Sequence, residues 1–362
     1  MGMSRACVVL VLLCLSSMSA VAAPGSPPPS VGMRTLTVAS SLRGEDLAVT
    51  LWYPVAPGGQ LIDPGESRVF QGTPAVRNAP PMVGRFPLIL LSHGSGSTVQ
   101  GMAWIASALA RAGFVVAGPN HPGTTSGDST PQDTPELWER TDDLSRILSH
   151  LTKDPVWSAV IDGTRVGVLG FSLGGAAALD LVGGRPNREA YARYCETYSM
   201  MPDCRWFVGG EAFVKGEQVT VPPFDLRSLD KARFEGDHRD PRVTAAVLVD
   251  PSMAQAFDPE SLRAIPVPLA FVNLGAPGTV PISVASDQLA RLAPRARLTH
   301  VAGAVHYSFL PECREGARAF LQQVGETTPL CEDAGTRSRA ALHAELAETI
   351  TAAFTEMFAG AW

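Results

Sequence analysis

Apolar runs and amphipathic segments alternate along most of the chain. Short continuous apolar runs, typical of strands buried on both faces of a parallel sheet, lie at 87–91, 114–117, 166–169, 243–249, 267–272 and 297–301. Between them, apolar residues recur at helical spacing at 102–112, at 135–151, from Leu173 onward and at 283–292. This alternation predicts an α/β domain with a mostly parallel, doubly wound sheet.

The segments before and after this core extend the predicted domain over residues 31–362. Two β-branched strands are predicted at 35–38 and 46–53, and helices at 314–324 and 340–358 are expected to cover one face. Residues 55–86 are crowded with Pro and Gly, which predicts a long irregular surface loop.

An insertion at residues 184–241 breaks the alternation between the helix that begins at Leu173 and the strand at 243–249. Its aromatic residues are Tyr191, Tyr194, Tyr198, Trp206, Phe207, Phe213, Phe224 and Phe234. An aromatic-rich insertion at this place predicts a cap that excludes water and contacts substrate. Surface decoration held by a disulfide is the alternative.

The N-terminus has the pattern of a signal peptide, residues 1–22, with cleavage after Ala22. A positive charge at Arg5 precedes an apolar core at 6–15, and a Pro-rich leader at 23–30 follows. Export predicts a secreted or periplasmic protein in an oxidising compartment. The cysteines beyond the leader are Cys195, Cys204, Cys313 and Cys331. Pairing of nearest neighbours is expected, although four cysteines permit three connectivities.

Composition excludes several function classes. The formal net charge is −6, and no basic run is interleaved with aromatic residues, so nucleic acid is not an expected partner. No apolar stretch after residue 30 is long enough to span a bilayer. No Cys-x-x-Cys or histidine cluster suggests a metal site, and no cofactor is expected. The sequence leaves the oligomeric state open.

The pattern G-x-S-x-G occurs at residues 170–174, between an apolar strand and an Ala-rich helix. A serine on such a sharp strand-to-helix turn stands exposed above the sheet, and the flanking glycines avoid steric clashes. The unpaired N–H groups at the start of the helix face any negative charge that develops nearby. We therefore predict that Ser172 is a nucleophile.

A second glycine-containing loop, residues 92–97, directly follows the core strand at 87–91. Such a loop can turn backbone N–H groups toward a reacting carbonyl, so the N–H groups of Ser95 and Leu173 are the predicted oxyanion hole. His93, Gly94 and Tyr307 are predicted to contact substrate. An ordinary glycine turn is the alternative for this loop. His121, in the loop after the next strand, is expected to be a buried, hydrogen-bonded residue.

A serine nucleophile needs a base, and the base needs a group that orients it. Among seven histidines, His306 is best placed, because it follows the last strand in a loop. Asp250 ends a core strand and is the predicted acid, with Asp287 as the alternative. The resulting order Ser, Asp, His is that of α/β hydrolases.

Four motifs carry a resemblance to a known superfamily: the runs at 91–95, 170–175, 248–251 and 304–310. Over roughly residues 33–360 the chain resembles α/β hydrolases, and among them predicted dienelactone-hydrolase-like and platelet-activating-factor acetylhydrolase-like serine esterases. In the acetylhydrolases the acid ends the strand after the nucleophile unit, which implies Asp250, and the oxyanion donors correspond to Ser95 and Leu173. In many hydrolases of this fold the acid follows the next strand, where this chain has Asn273.

The resemblance implies a secreted serine carboxylesterase that acts on small-molecule or lipid esters without a cofactor. True dienelactone hydrolases use a cysteine where this chain has Ser172. Two alternatives remain at this point. One is a serine peptidase of the prolyl-oligopeptidase type, against which stands the lack of a propeller domain. The other is a catalytically silent binding protein on the same fold.

Overall fold

The computed structural model describes residues 30–335 and 337–362 of the chain. The predicted signal peptide, residues 1–22, lies outside the described residues, and so do residues 23–29 of the Pro-rich leader. Among the described residues, no helix is both long enough and apolar enough to cross a membrane.

The strands and helices alternate in the predicted order. The strands are β1 (Ser30–Val38), β2 (Leu47–Val55), β3 (Leu61–Ile62), β4 (Ala75–Arg77), β5 (Phe86–Ser92), β6 (Val115–Pro119), β7 (Thr124–Thr125), β8 (Asp128–Ser129), β9 (Ile161–Phe171), β10 (Gly210–Val214), β11 (Glu217–Val221), β12 (Ala245–Val249), β13 (Leu269–Leu274) and β14 (Ala296–Val301). The helices are α1 (Ala103–Arg111), α2 (Leu137–Leu151), α3 (Trp157–Val160), α4 (Leu173–Leu181), α5 (Arg188–Thr197), α6 (Pro202–Trp206), α7 (Lys231–Phe234), α8 (Pro259–Arg263), α9 (Asp287–Leu292), α10 (Ala317–Gln323) and α11 (Arg339–Phe358).

The central sheet has ten strands in the order β14-β13-β12-β9-β5-β6-β2-β1-β4-β3. From β14 to β6 every neighbouring pair is parallel, whereas β2 is antiparallel to both β6 and β1. Parallel neighbours require crossover connections, which α1, α2 and α4 supply here. The predicted mostly parallel, doubly wound sheet is confirmed.

Alternate residues of the central strands pack into separate cores on the two faces of the sheet. In β5, Leu88 and Leu90 join the core beneath α2 and α4, whereas Ile89 and Leu91 join the core beneath α1 and α11. Because both faces are buried, the strand reads as a continuous apolar run. Of the two C-terminal helices expected to cover a face, only α11 does so, since Ala317 is the one buried residue of α10.

The expectation that residues 55–86 are wholly irregular is wrong. Strand β4 pairs parallel with β1, and β3 pairs antiparallel with β4, so this segment extends the edge of the central sheet. Strands of two and three residues are too short for their side chains to show a periodic pattern. Their formation depends on the partner strand rather than on local sequence.

The insertion at 184–241 contains α5, α6, the hairpin β10–β11 and α7. The hairpin joins β8 and β7 in a second sheet of four strands. Of the possible disulfide connectivities, the structure has the nearest-neighbour one. Cys195–Cys204 ties α5 to α6, and Cys313–Cys331 closes the segment that carries α10.

Candidate active site

Ser172 occupies the sharp turn between β9 and α4. Its backbone lies at φ 54° and ψ −118°, a conformation that non-glycine residues rarely adopt. A Cβ added to Gly170 would lie 2.0 Å from the Gly174 carbonyl oxygen, and one added to Gly174 would lie 2.0 Å from the Ser92 carbonyl oxygen. Both glycines are therefore required for the helix to start this close to the neighbouring strand.

The structure brings His306 to Ser172 and Asp250. The Nε2 atom of His306 lies 3.1 Å from Ser172 Oγ, although 134 residues separate them in the chain. Its Nδ1 atom lies 3.0 Å from Asp250 Oδ2. The imidazole packs against the ring of Phe171, with centroids 4.9 Å apart. These distances are within the range at which a base takes a proton from a hydroxyl.

Asp250 is fully buried at the end of β12, and hydrogen bonds fix both its oxygens. Oδ1 accepts from the Asn273 amide at 2.9 Å and from the Leu274 N–H at 2.9 Å, which leaves Oδ2 for His306. Asn273 is held in turn by the Ser286 N–H, which donates to its Oδ1 at 2.9 Å. The alternative acid, Asp287, has a side chain 51% exposed and lies 4.0 Å from His300 instead.

Hydrogen bonds to Asp333 and to residues of α11 hold the loop that carries His306. The hydroxyl of Ser308 accepts a hydrogen bond from the Val305 N–H and donates one to Asp333 at 2.6 Å. Arg339, on α11, donates to the same Asp333 carboxylate. The Nε2–H of His343, also on α11, donates to the carbonyls of Ser308 and Leu310. Burial lowers the pKa of His343 to about 4, so its ring is neutral at pH 7.

The two predicted oxyanion donors lie next to the serine. Leu173 is the first residue of α4, where N–H groups have no intrahelical acceptor. Within the described chain, the Ser95 N–H has no protein acceptor either. The loop passes close to the serine, because a Cβ on Gly94 would lie 3.3 Å from Ser172 Cβ. Tyr307 is half-buried, with its ring centroid 5.4 Å from that of His306.

His93 is predicted to contact substrate, and its side chain is 0% exposed. The ring lies in the interior, where Nε2 accepts the His121 N–H. His121 is buried and hydrogen-bonded, as expected: its ring contacts Ser92 Oγ at 2.9 Å and Asp143 Oδ2 at 2.8 Å. Both rings therefore form interior hydrogen bonds and are not exposed to solvent.

Sequence reasoning missed the buried charges beneath this loop. Arg140 and Asp143 lie on the inward face of α2, and Arg43 binds the Asp143 carboxylate with two nitrogens. Burial raises the pKa of Asp143, and Arg43 opposes that shift. The sequence contained a signal for this burial. Arg140 and Asp143 fall at helical spacing among Leu137, Leu144 and other core positions of α2.

Two surface cavities lie away from Ser172, around Arg314. One of about 300 Å³ is lined by the Cys313–Cys331 disulfide, and the other, of about 690 Å³, lies between Arg68 and Phe320. Arg314 is paired with Glu66, and Arg339 with Asp333. No group of three or more His, Cys, Asp or Glu side chains in residues 30–335 and 337–362 is arranged to hold a metal ion.

Comparison with known proteins bears on the fold. No protein-family model matches the chain. A solved ferulic acid esterase from Streptomyces cinnamoneus is similar at 21% sequence identity, covering 93% of this chain and 92% of that chain, with a TM-score of 0.60. A dienelactone-hydrolase-like promiscuous phosphotriesterase from metagenomic libraries matches at 13% identity, covering 91% of this chain and 99% of that one, with a TM-score of 0.49. The chain has the α/β-hydrolase fold.

Proposed function

We propose that the protein is a serine hydrolase that cleaves carboxylic esters through an acyl-enzyme. The observation that carries the proposal is the continuous chain of contacts from Ser172 Oγ to His306 at 3.1 Å and on to Asp250 at 3.0 Å. A nucleophile, a base in contact with it and a buried carboxylate behind the base are the three parts that this chemistry requires.

In the first half-reaction, Ser172 Oγ attacks the ester carbonyl carbon while His306 Nε2 takes the hydroxyl proton. The carbonyl oxygen becomes an oxyanion, which accepts hydrogen bonds from the Ser95 and Leu173 N–H groups. The tetrahedral intermediate collapses, the bond to the alcohol oxygen breaks, and His306 returns its proton to that oxygen. Asp250 remains ionised throughout and stabilises the imidazolium.

In the second half-reaction, water takes the place of the alcohol. His306 removes a proton from the water as the water oxygen attacks the acyl carbon, and the proton then passes to Ser172 Oγ. The products are a carboxylic acid and the free enzyme, so no redox partner or cofactor enters the balance. A structural neighbour bears the name ferulic acid esterase, which is consistent with an ester substrate.

The insertion is proposed to cap the site and to contact a small-molecule or lipid ester. Two contacts support this placement. The Asn187 N–H donates to the Ala256 carbonyl at 2.6 Å, which ties the start of α5 to the loop after Asp250. Pro186 and Phe257 also pair as an antiparallel β-bridge between the same two segments.

Export is also proposed. Two disulfides persist only where thiols are not kept reduced, which agrees with the signal-peptide pattern of residues 1–22. A fractionation of the natural host that finds the chain in the cytoplasm with its N-terminus intact would contradict this proposal.

Labelling with a fluorophosphonate tests the mechanism. The purified protein is expected to be labelled at Ser172 and to hydrolyse p-nitrophenyl esters, and Ser172→Ala abolishes both. Ser228→Ala, which removes an exposed serine hydroxyl elsewhere, is the control that retains both. Wild-type protein that is folded yet neither labelled nor active would be a silent binding protein. Turnover of peptide anilides in preference to esters would indicate a peptidase.

A further inference from the structure

We propose that His93 is a positioning residue whose imidazole fixes the peptide group that presents the Ser95 N–H to the oxyanion. This inference rests on the proposed function and names the device that holds one of its two oxyanion donors. It assigns a role in the reaction to a side chain that touches neither the substrate nor the reacting atoms.

Hydrogen bonds determine which nitrogen of His93 carries the proton. Nε2 lies 3.0 Å from the backbone nitrogen of His121, which is a donor only, so Nε2 is the unprotonated acceptor. Nδ1 lies 2.7 Å from the carbonyl oxygen of Gly94, which is an acceptor only, so Nδ1 carries the hydrogen. Burial and the charge of Arg140 hold the pKa of His93 well below 6.5, which keeps this single tautomer at pH 7.

The Gly94 carbonyl belongs to the same peptide group as the Ser95 N–H. In a trans peptide the C=O and N–H bonds point in opposite directions, and the described residues contain no cis peptide bond. Holding the oxygen toward the buried His93 ring therefore turns the N–H away from the interior. Because a Cβ on Gly94 would lie 3.3 Å from Ser172 Cβ, the side of the loop away from His93 borders Ser172, and the N–H is proposed to point to that side.

Without this hydrogen bond the Gly94 carbonyl keeps only the Ser97 N–H, which donates to it at 3.3 Å, and Gly94 has no side chain that restricts rotation of the peptide group. A rotated peptide would present its carbonyl oxygen, an electron-rich group, where the oxyanion forms. The substrate would still bind, but the transition state would lose a donor and gain a repulsion.

Arg140 holds the rest of the loop in place. Its Nη1 donates to the His93 carbonyl at 2.7 Å, and its Nε and Nη2 donate to Thr124 Oγ1 at 3.1 and 2.9 Å. The Thr124 carbonyl accepts the Gly96 N–H at 2.9 Å. Hydrogen bonds thus anchor the backbone on both sides of the Gly94–Ser95 peptide. The imidazole of His93 determines the orientation of the peptide group between them.

Two substitutions of His93 separate positioning from simple structural support. The amide nitrogen of Asn lies as many bonds from Cα as Nδ1 does, so His93→Asn keeps the donor to Gly94 and loses the acceptor for His121. The amide oxygen of Gln lies as many bonds from Cα as Nε2 does, so His93→Gln keeps that acceptor and loses the donor. Each variant therefore removes one of the two hydrogen bonds that the His93 ring makes to the backbone.

We expect His93→Gln to lower kcat by about 10²-fold, the size reported for loss of an oxyanion donor, with KM changed by less than about 3-fold. His93→Asn is expected to retain kcat within about 10-fold of wild type. Affinity for a trifluoromethyl ketone, whose adduct carries an oxyanion, should fall in His93→Gln by about the same factor as kcat/KM. Selective ¹⁵N-histidine NMR should show the Nδ1–H tautomer of His93 in the free enzyme.

The matched control is the same pair of substitutions at His238, whose Nδ1 contacts Asp180 near the end of α4 that lies away from Ser172. His238→Gln loses this contact and should lower the melting temperature more than His238→Asn, which keeps a donor there, and both should leave kcat unchanged. Equal kcat in His93→Asn and His93→Gln, or an Nε2–H tautomer of His93, would overturn the positioning role. Failure of the proposed function is distinguishable, because wild-type protein would then show neither labelling of Ser172 nor ester turnover.

Discussion

Residues on two adjacent strands hold the proposed base, His306. Asp250 directly follows β12 and faces His306, while Asn273, near the end of β13, donates to the other carboxylate oxygen at 2.9 Å. Asn273 has no charge with which to stabilise an imidazolium, but its amide and the Leu274 N–H orient the carboxylate that has one. Asn273, at the position where many proteins of this fold keep their acid, thus supports the proposed acid, Asp250, instead.

For this reason Asp250→Asn is expected to lower kcat by about 10⁴-fold without unfolding the protein. The amide retains the shape of the carboxylate but cannot stabilise a positive imidazole. Steady-state kinetics with a p-nitrophenyl ester and a thermal melt measure the two effects separately. Asp287→Asn, at the alternative position, is the control and should remain within about 2-fold of wild type. Activity of Asp250→Asn close to wild type would move the role to another carboxylate.

The turn at Ser172 has no room for a side chain at Gly174. We expect Gly174→Ala to lower the free energy of unfolding by about 3 kcal/mol, because the new Cβ would meet the Ser92 carbonyl oxygen at 2.0 Å. Gly163→Ala is the matched control, since the nearest atom to its Cβ would be 3.9 Å away. It should change that free energy by less than about 0.5 kcal/mol. Urea unfolding of both variants checks the difference, and equal stabilities would contradict the packing argument.

At the scale of elements, α11 supports the loop that carries His306. The His343 ring stacks on Trp104, with centroids 3.8 Å apart, and its Nε2–H holds the carbonyls of Ser308 and Leu310. Arg339 and Asp333 hold the Ser308 hydroxyl from the other side. The loop's position next to Ser172 therefore depends on a helix whose own residues lie outside the reaction.

This arrangement makes stability depend on pH. Burial lowers the pKa of His343 from 6.5 to about 4, so between these values the unfolded chain binds a proton that the folded chain excludes. The free energy of unfolding therefore falls as pH decreases from 6.5 toward 4, with a slope from this group of at most about 1.4 kcal/mol per pH unit.

His343→Phe, which keeps an aromatic ring against Trp104, is expected to be less stable at pH 7 but to lose less stability on acidification. Urea unfolding at pH 7, 6 and 5 measures both slopes. Other buried histidines, His93 and His121, have lowered pKa values and contribute a similar slope to both proteins. If the two slopes are equal, His343 is not excluded from protonation in the folded state.

At the scale of the whole molecule, the sheet brings distant residues together. Ser172, Asp250 and His306 each follow the carboxyl end of a parallel strand, and these ends lie at one edge of the sheet. One disulfide lies in the insertion, whose residues Tyr191, Cys204 and Phe234 join the core beneath α2 and α4, and the other lies in the segment that carries α10.

Removing these disulfides is expected to lower the free energy of unfolding by about 2–4 kcal/mol each. The Cys313–Cys331 bridge closes a separation of 18 residues and the Cys195–Cys204 bridge one of 9, so loss of the longer one should cost about 0.6 kcal/mol more. Urea unfolding of the two double Cys→Ala variants measures each contribution. Dithiothreitol should lower the melting temperature of the wild type, and a variant without these four cysteines should not respond.

Much of this architecture follows from local sequence. The apolar runs predicted β5, β6, β9, β12, β13 and β14 to within a few residues, because a strand buried on both faces needs an unbroken apolar stretch. The G-x-S-x-G turn located Ser172, since only glycine tolerates the flanking contacts. Asp250 and His306 could be picked out because they follow strands whose ends must meet, and their catalytic roles stay predictions.

Long-range contacts decided the remainder. Strand β4 forms against β1 and β3 forms against β4, and no local pattern marks either of them. The burial of His93, the support that Asn273 gives to Asp250, and the position of Arg140 under the loop at 92–97 depend on groups tens of residues away. A side chain's partner is a property of the packed molecule, so residue type and spacing indicate which groups can react and tertiary packing determines which of them meet.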